Sequence, residues 1–227
     1  MICLGLDTSG VTLSVGVSSH GKILGERTTS GENPHSVMIL SEIGALLHET
    51  GLEVKDVSLI AVSGGPGRYT ALRVGMATAK GLAFSRGIPL VRVSALEAMA
   101  ASLLLYEGNI VSVMDARRQL VYFAVFKANG EGMVRSVEDQ ALSYRDAADM
   151  IPDQSILTGD GVSLVLPFLS ERGVTFETRP CMIRGGIVAN MGETRYAREM
   201  RNEIYEGPTY IRKVEVHGMT SHDNLKG

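Results

Sequence analysis

The 227-residue chain lacks most of the features that mark specialised classes of protein. It has two cysteines, Cys3 and Cys181, far apart and outside any CxxC motif. Two thiols make no disulfide framework, which excludes a small disulfide-stapled secreted domain and suits a reducing, cytoplasmic setting. A net charge of −3 comes without any block of like charge, which argues against a stand-alone nucleic-acid binder with a basic patch. No apolar run approaches membrane-spanning length. Met1 leads straight into a strand-like segment with no basic region before an apolar stretch, so no signal peptide is expected. Motifs that carry chemistry are missing too. There is no G-x-x-x-x-G-K-[ST], no G-x-G-x-x-G and no G-x-S-x-G. No two of His20, His35, His48, His217 and His222 have the i, i+4 spacing of a helical metal pair. Cys3 falls inside an expected core strand, so no nucleophile stands out.

What is present is a chain 44% hydrophobic and 21% charged, enough for one or two domains with a real core. Its most distinctive stretch is residues 64–83, GGPGRYTALRVGMATAKGLA. A glycine-proline-glycine turn follows the apolar strand Leu59-Ile60-Ala61-Val62 and runs directly into a helix. Gly64, Gly65 and Gly67 open backbone angles closed to other residues, and Pro66 stiffens the turn. In the helix Ala71, Gly75, Ala77, Ala79, Gly81 and Ala83 are small, and only Arg73 and Lys80 are charged. Pairs four apart, Gly75/Ala79 and Ala77/Gly81, allow close backbone approach on two faces. One face suits its own sheet; the other calls for a neighbour.

Apolar strands are expected at Ile2–Leu6, Val11–Val17 and Gly21–Thr29. A helix follows, with Asn33 as N-cap and Pro34 in its first turn, running to about Glu49 and stopping at Gly51. Then come a strand at Val57–Ser63, a helix at Thr70–Ser85, a strand at Ile88–Val93, and a helix capped by Ser94 with Glu97 completing a capping box. This β-β-β-α-β-α-β-α order is that of a ribonuclease-H-like unit, the half-domain of the actin, sugar-kinase and Hsp70 group. The second half opens again with strands at Asn109–Asp115, Gln119–Lys127 and Met133–Asp139. A helix at Tyr144–Met150, a short strand at Ile156-Leu157, and helices near Val162–Arg172 and Ile187–Arg201 complete it. The expected fold class is therefore α/β with two ribonuclease-H-like halves, the second a reduced echo of the first. The domains divide as residues 1–104, 105–216 and a polar tail, 217–227.

In the helix from His35 to Glu49, Val37, Ile39, Leu40, Ile43, Leu46 and Leu47 cover about half of the circumference. Met38 and Ala45 lie opposite. An ordinary core helix with two stray apolar residues and a helix touched by a partner on its far side both fit. The small-residue helix beside it favours the second.

The segments LGLDTSG-VTLSVGV, ENPHSVMILSEI, GGPGRYTALRVGMATAKGLA, VSALEAMA, VMDARRQLVYFAVF and GPTYIRK together resemble the TsaB/YeaZ family, a subunit of the machinery that makes threonylcarbamoyladenosine beside the tRNA anticodon. The likeness covers most of the chain and is weakest over residues 130–185. The family's usual Ser-Phe-Thr-Gly is here Arg68-Tyr69-Thr70-Ala71. The resemblance implies an actin-like ATPase fold and a non-catalytic partner of the paralogue TsaD. TsaD carries an HxxxH metal pair at the helix after the GPG helix, and Ala95 and Met99 stand at those two positions here. It further implies the ATPase TsaE as a partner through TsaD, self-association as a homodimer, tRNA reached only through the complex, no metal or cofactor of its own, and ATP or ADP met at the partner interface. The partner surface it implies comprises His35, Met38, Ile39, Glu42, Arg73, Val74, Ala77, Thr78 and Gly81.

Two candidate sites keep two readings each. Asp7-Thr8-Ser9-Gly10 is either a remnant of a nucleotide-contacting turn or a turn that simply ends a strand. A phosphate site needs a second glycine turn opposite, for which Thr158-Gly159-Asp160-Gly161 and Arg184-Gly185-Gly186 are candidates. The GPG loop at a helix N-terminus is either an anion cradle or structural punctuation. The rival to the scaffold reading is an independent actin-fold enzyme that binds ATP and transfers a phosphoryl or acyl group. A self-associating regulatory module is a third.

Overall fold

Successive residues of a strand point to opposite faces of its sheet, and in the first strand both sets are apolar. Cys3 is buried on one side of β1 (Ile2–Asp7), and Leu4 and Leu6 on the other. Such a strand needs cover on both faces, and the computed structural model shows how each is covered. It describes residues 1–30, 34–103, 105–130, 132–170 and 172–211; the side chains of 34–37 also lie outside that description. The N-cap expected at Asn33 and the 217–227 tail are outside it.

The first half comprises β1, β2 (Leu13–Ser19), β3 (Lys22–Thr29), α1 (Pro34–Glu49), β4 (Leu59–Ser63), α2 (Tyr69–Arg86), β5 (Leu90–Val93) and α3 (Ala95–Ala101). Its sheet has the order β3-β2-β1-β4-β5, antiparallel through β1 and parallel beyond it. The second half comprises β6 (Glu107–Arg117), β7 (Leu120–Asn129), β8 (Met133–Ser143), α4 (Tyr144–Met150), β9 (Ser155–Thr158), α5 (Val162–Leu169), β10 (Phe176–Thr178) and α6 (Gly185–Glu199). Its sheet order, β10-β9-β6-β7-β8, is the first order read backwards strand for strand. The second half is thus complete in strands. What is reduced is β10, only 3 residues long, and the helices α4 and α5, of 7 and 8 residues. The short β10 has no alternation to announce it and was not among the expected strands.

Three apolar clusters fill the spaces between five layers. Leu4, Val15, Ile60 and Val62 pack under α1 and α2 on the outer side of the first sheet. Val111, Phe123, Val125 and Leu157 pack under α4 and α5 on the outer side of the second. Between the sheets, Cys3, Ala61 and Val91 face Ile110, Met114 and Phe126 across α3 and α6. The last helix therefore returns to the first sheet. Its seat is cut by glycines: a Cβ on Gly16 would lie 2.1 Å from the Gly186 nitrogen, and one on Gly5 would lie 2.3 Å from the Gly185 oxygen. Gly5 and Gly16 are direct cross-strand partners, so the helix backbone rests on a bare patch of two strands. Ser14 Oγ accepts the Gly185 N–H at 2.8 Å and so satisfies one of the free donors of the helix start.

At α3, Ser94 Oγ accepts the Glu97 N–H at 3.2 Å, as a cap should. The Glu97 carboxylate instead takes the Arg135 guanidinium at 2.8 Å.

Candidate functional site

The outward surface of α1 and α2 follows from which residues the sheet claims. Along α2, Ala71, Leu72, Gly75, Met76, Ala79 and Ala83 are buried. Gly75 is needed because a Cβ there would lie 2.2 Å from Thr8 Oγ1. Outward, Arg73, Ala77 and Gly81 are exposed, with Val74 and Thr78 half-buried. Along α1, Ile39, Ile43, Leu46 and Leu47 face the core. Met38, Leu40 and Ser41 face out. The structure therefore gathers Met38, Arg73, Val74, Ala77, Thr78 and Gly81 on the outer side of one helix pair. It places Ile39 and Glu42 inside. Glu42 accepts from Arg27 Nε at 2.6 Å, and that bond holds its carboxyl below its ordinary value. His35 lies in the first turn of α1, and its side chain is outside the described residues. Two large apolar side chains that sequence reasoning did not assign outward widen this face: Leu40 is 62% exposed and Phe84 is 79% exposed.

Asp7, Thr8 and Ser9 are all fully buried. Ser9 donates both its N–H, at 3.2 Å, and its hydroxyl, at 2.7 Å, to Asp7 Oδ1. Thr8 Oγ1 donates to the Ala71 carbonyl at 2.8 Å. The Ser9 carbonyl accepts the Arg68 N–H at 2.8 Å, and a Cβ on Gly67 would fall 2.5 Å from that same oxygen. The GPG loop thus lies directly on the turn. Burial pushes the Asp7 carboxyl above its ordinary value, and hydrogen bonding from the Ser63 and Ser9 hydroxyls restrains the rise. Oδ2 of Asp7 and Oγ of Ser63 are buried without a partner at normal hydrogen-bonding geometry.

The other glycine turns also pack against backbone. A Cβ on Gly159 would lie 2.1 Å from the Val113 oxygen, and one on Gly161 would lie 2.8 Å from the Met114 carbonyl carbon. Gly185 and Gly186 seat α6, as described above. Within the GPG loop, the Gly64 N–H is given to the Val93 carbonyl at 2.9 Å and the Gly65 carbonyl accepts from Ala95 at 2.8 Å. Each of these glycines is accounted for by close packing. Ala95 and Met99 are buried in the layer between the sheets. Among the described residues no group of three or more His, Cys, Asp or Glu side chains is arranged to hold a metal.

Residues 202–210 run along the free edge of β5 as a strap. Glu203 N–H donates to the Leu90 carbonyl at 2.7 Å, and Asn202 Oδ1 accepts the Leu90 N–H at 3.1 Å. Glu203 is buried; its carboxylate takes the Arg92 N–H at 2.7 Å, the Arg92 guanidinium at 3.3 Å and Arg195 at 3.1 Å. Thr209 N–H reaches the Gly64 carbonyl at 2.7 Å, which brings Tyr210 against Tyr69 with ring centres 5.1 Å apart. The strap joins the second half's end to the start of α2.

Two ribonuclease-H-like sheets, the closed Asp7 turn under a GPG loop and the long helix α2 define an actin-like two-lobed protein. Residues 22–164 match the family model described as TsaD, tRNA N6-adenosine threonylcarbamoyltransferase, and the chain belongs to that family. Within it, the chain is a member of the TsaB/YeaZ branch. It is 29% identical over 222 residues to the tRNA threonylcarbamoyladenosine biosynthesis protein TsaB of Bacillus subtilis (strain 168), covering 95% of this chain and 96% of that protein. The tRNA N6-adenosine threonylcarbamoyltransferase of Syntrophus aciditrophicus is 34% identical over 123 residues, but only 36% of that protein is covered. In fold, YeaZ from Pseudomonas aeruginosa superposes with a TM-score of 0.80 at 22% identity, covering 92% of this chain and 99% of that one.

Proposed function

We propose that this chain serves the biosynthesis of threonylcarbamoyladenosine in tRNA as a subunit without catalytic chemistry of its own, binding and stabilising the catalytic paralogue TsaD. TsaE would join through TsaD, and tRNA would be met by the complex. ATP or ADP would lie at the subunit interface. The observation that carries the reading is the outer face of α1 and α2. Met38, Ala77, Thr78 and Gly81 make its middle uncharged and low in bulk, Arg73 stands at the N-terminal end of α2, and Leu40 and Phe84 are exposed beside it. Exposed apolar surface of this kind is worth most when a second protein covers it. The buried Ala95 and Met99 support the non-catalytic part, since neither side chain can replace an imidazole at a metal.

Light scattering on the chain alone and mixed with the TsaD of the same organism tests the proposal. A one-to-one complex is expected. Met38→Glu and Thr78→Lys should each weaken it about tenfold or more while leaving the melting temperature unchanged. A chain that never associates with TsaD, across nucleotide and salt conditions, defeats the reading. The same face could instead pair two copies of this chain, in which case the variants convert a dimer to a monomer.

One observation favours the rival, an ATP-dependent enzyme: the buried Asp7 carboxyl with its unpartnered Oδ2 beside Ser63. Saturable ATP binding by the isolated chain, abolished by Asp7→Asn, would establish it.

A further inference from the structure

The GPTY segment, Gly207 to Tyr210, is absorbed neither by the packing of the core nor by the helix face. It is nevertheless held in place. Arg92 donates to the Gly207 carbonyl at 2.7 Å, and Thr209 is tied to Gly64. The result is a cluster at the start of α2. Arg73 lies over the Tyr69 ring at 5.1 Å and donates to its hydroxyl at 3.0 Å, and Tyr210 packs against that ring with centres 5.1 Å apart. The tyrosines are not used up by this contact: Tyr69 remains 44% exposed and Tyr210 43% exposed. Arg68, one residue before the helix, is exposed as well. Neither Arg68 nor Arg73 has a carboxylate partner among the described residues. The free N–H groups of the first turn of α2 add positive potential to the same spot.

We infer that the docking face of α1 and α2 continues onto this cluster, and that Tyr69, Arg73 and Tyr210 receive an acidic segment of the protein that docks there. The inference rests on the proposed docking reading. Charge complementarity selects the occupant. The Arg73 guanidinium, without a carboxylate partner among the described residues, lies on Tyr69, whose ring meets Tyr210. Exposed Arg68 adds a second positive charge next to Tyr69 in the chain, and the cluster is continuous with Val74 and Ala77 on the outer side of α2. A carboxylate can take the Arg73 fork while an apolar neighbour covers the tyrosines. The strap thereby gains a role besides closing the edge of β5: it supplies Tyr210, more than half the chain distant in sequence, to the interface.

The test titrates the full chain with purified TsaD from the same organism and reads the dissociation constant. Arg73→Glu and Tyr210→Ala should each weaken binding about tenfold. Wild-type affinity should fall between about 50 and about 300 mM salt, and Arg73→Glu should flatten that dependence. Circular dichroism and melting of Arg73→Glu should match wild type, because its recorded partner, Tyr69, is exposed. If Tyr210→Ala loosens the strap, Arg73→Glu and the salt series decide the matter alone. A wild-type chain that binds while both variants bind within about twofold of it overturns the inference and leaves the helix-face reading intact. Weakening by Tyr210→Ala without any effect of Arg73→Glu or salt overturns the acidic occupant. A wild-type chain that forms no complex removes both readings.

Discussion

The two halves of the molecule share a strand order but close their sheets in opposite ways. In the first, α6 meets β1 and β2 backbone to backbone over Gly5, Gly16, Gly185 and Gly186. In the second, the corresponding inner volume is taken by bulk, Phe126, Met114 and Ile110, while the outer sides of both sheets are filled by side chains. The matching turns differ too. The turn after β1 is buried under the GPG loop. The turn after β6 points outward, with Arg117, Arg118 and Gln119 at φ of 62°, 53° and 62°. Side chains that fill space tolerate small changes by repacking, whereas backbone against backbone does not. The α6 seat is therefore unyielding, and on the opposite face of the same sheet α2 is held close where Gly75 meets Thr8. A surface that must match a second protein benefits from that fixity.

The largest effect expected from this contrast comes from a single methyl group. Gly16→Ala places a Cβ 2.1 Å from the Gly186 nitrogen, where no rotamer change can help. The cost should exceed about 3 kcal/mol. Phe123→Leu, at the centre of the second half's outer core, removes more atoms but should cost only about 1–2 kcal/mol, because neighbouring side chains can relax. Urea unfolding of the two variants compares them directly. A milder loss at Gly16 than at Phe123 would break the contrast between the backbone seat of α6 and the adaptable outer core of the second half.

How much of this was legible in the sequence depends on the physical signal each part carries. Strands with long apolar runs, such as Leu59–Ser63, and the helix ends marked by Gly51 and Ser94 were legible because they rest on local preference. The doubled ribonuclease-H-like order was legible for the same reason. The outer position of Met38 followed from helical periodicity, whereas that of Ala77 and Gly81 came from the resemblance, since spacing alone left two small-residue faces on α2. Ile39 and Glu42 were placed on the partner surface by the resemblance alone: the angular count itself puts Ile39 on the apolar side opposite Met38, and nothing in the sequence tells that Arg27 reaches across from β3 to take Glu42 inward. The use of Gly185 and Gly186 was hidden, since a glycine pair that seats a helix looks the same as one that cradles a phosphate. The strap was hidden because the Asn202 and Glu203 side chains supply the acceptors for the N–H groups of Leu90 and Arg92 that a strand backbone would otherwise supply. A buried glutamate between two arginines leaves no periodic trace.

A smaller effect separates two carboxylates, both in the first half. Glu42 has its carboxyl held below the ordinary value of 4.5, first by its hydrogen bond from Arg27. Its contribution to stability is complete above that value and is lost as pH falls through the depressed value of the folded state. Glu42→Gln should therefore cost about 1–2 kcal/mol at neutral pH and make unfolding less sensitive to acid. Asp7 has the opposite sign. Its folded value is raised from the ordinary 3.8 by burial, so stability declines as pH rises from there through the raised value and then levels. Asp7→Asn should remove that decline and leave the chain as stable as wild type or more so. Chemical denaturation at a series of pH values between about 3 and about 7 measures both slopes. Parallel changes in the two variants would show that burial, not pairing, governs both groups.

The smallest effect bears most directly on why α2 is built from small residues. Gly81 lies on the outer side of that helix, and a Cβ there would meet nothing within 4 Å. In the isolated chain Gly81→Ala should raise stability by about 0.5–1 kcal/mol, since glycine is a poor helix former and nothing nearby resists the methyl group. Packing within the chain therefore gives no reason for glycine at this position, in contrast to Gly75 earlier in the same helix. If the outer face docks closely on a second protein, the same methyl group enters the interface and association weakens although the monomer is firmer. A thermal melt and a titration with TsaD on the one variant give the two numbers. Higher stability with weaker association ties the small residues of α2 to a partner. Higher stability with unchanged association would mean that the outer stripe lies outside the contact, and that the small residues of α2 serve its seat on the sheet alone.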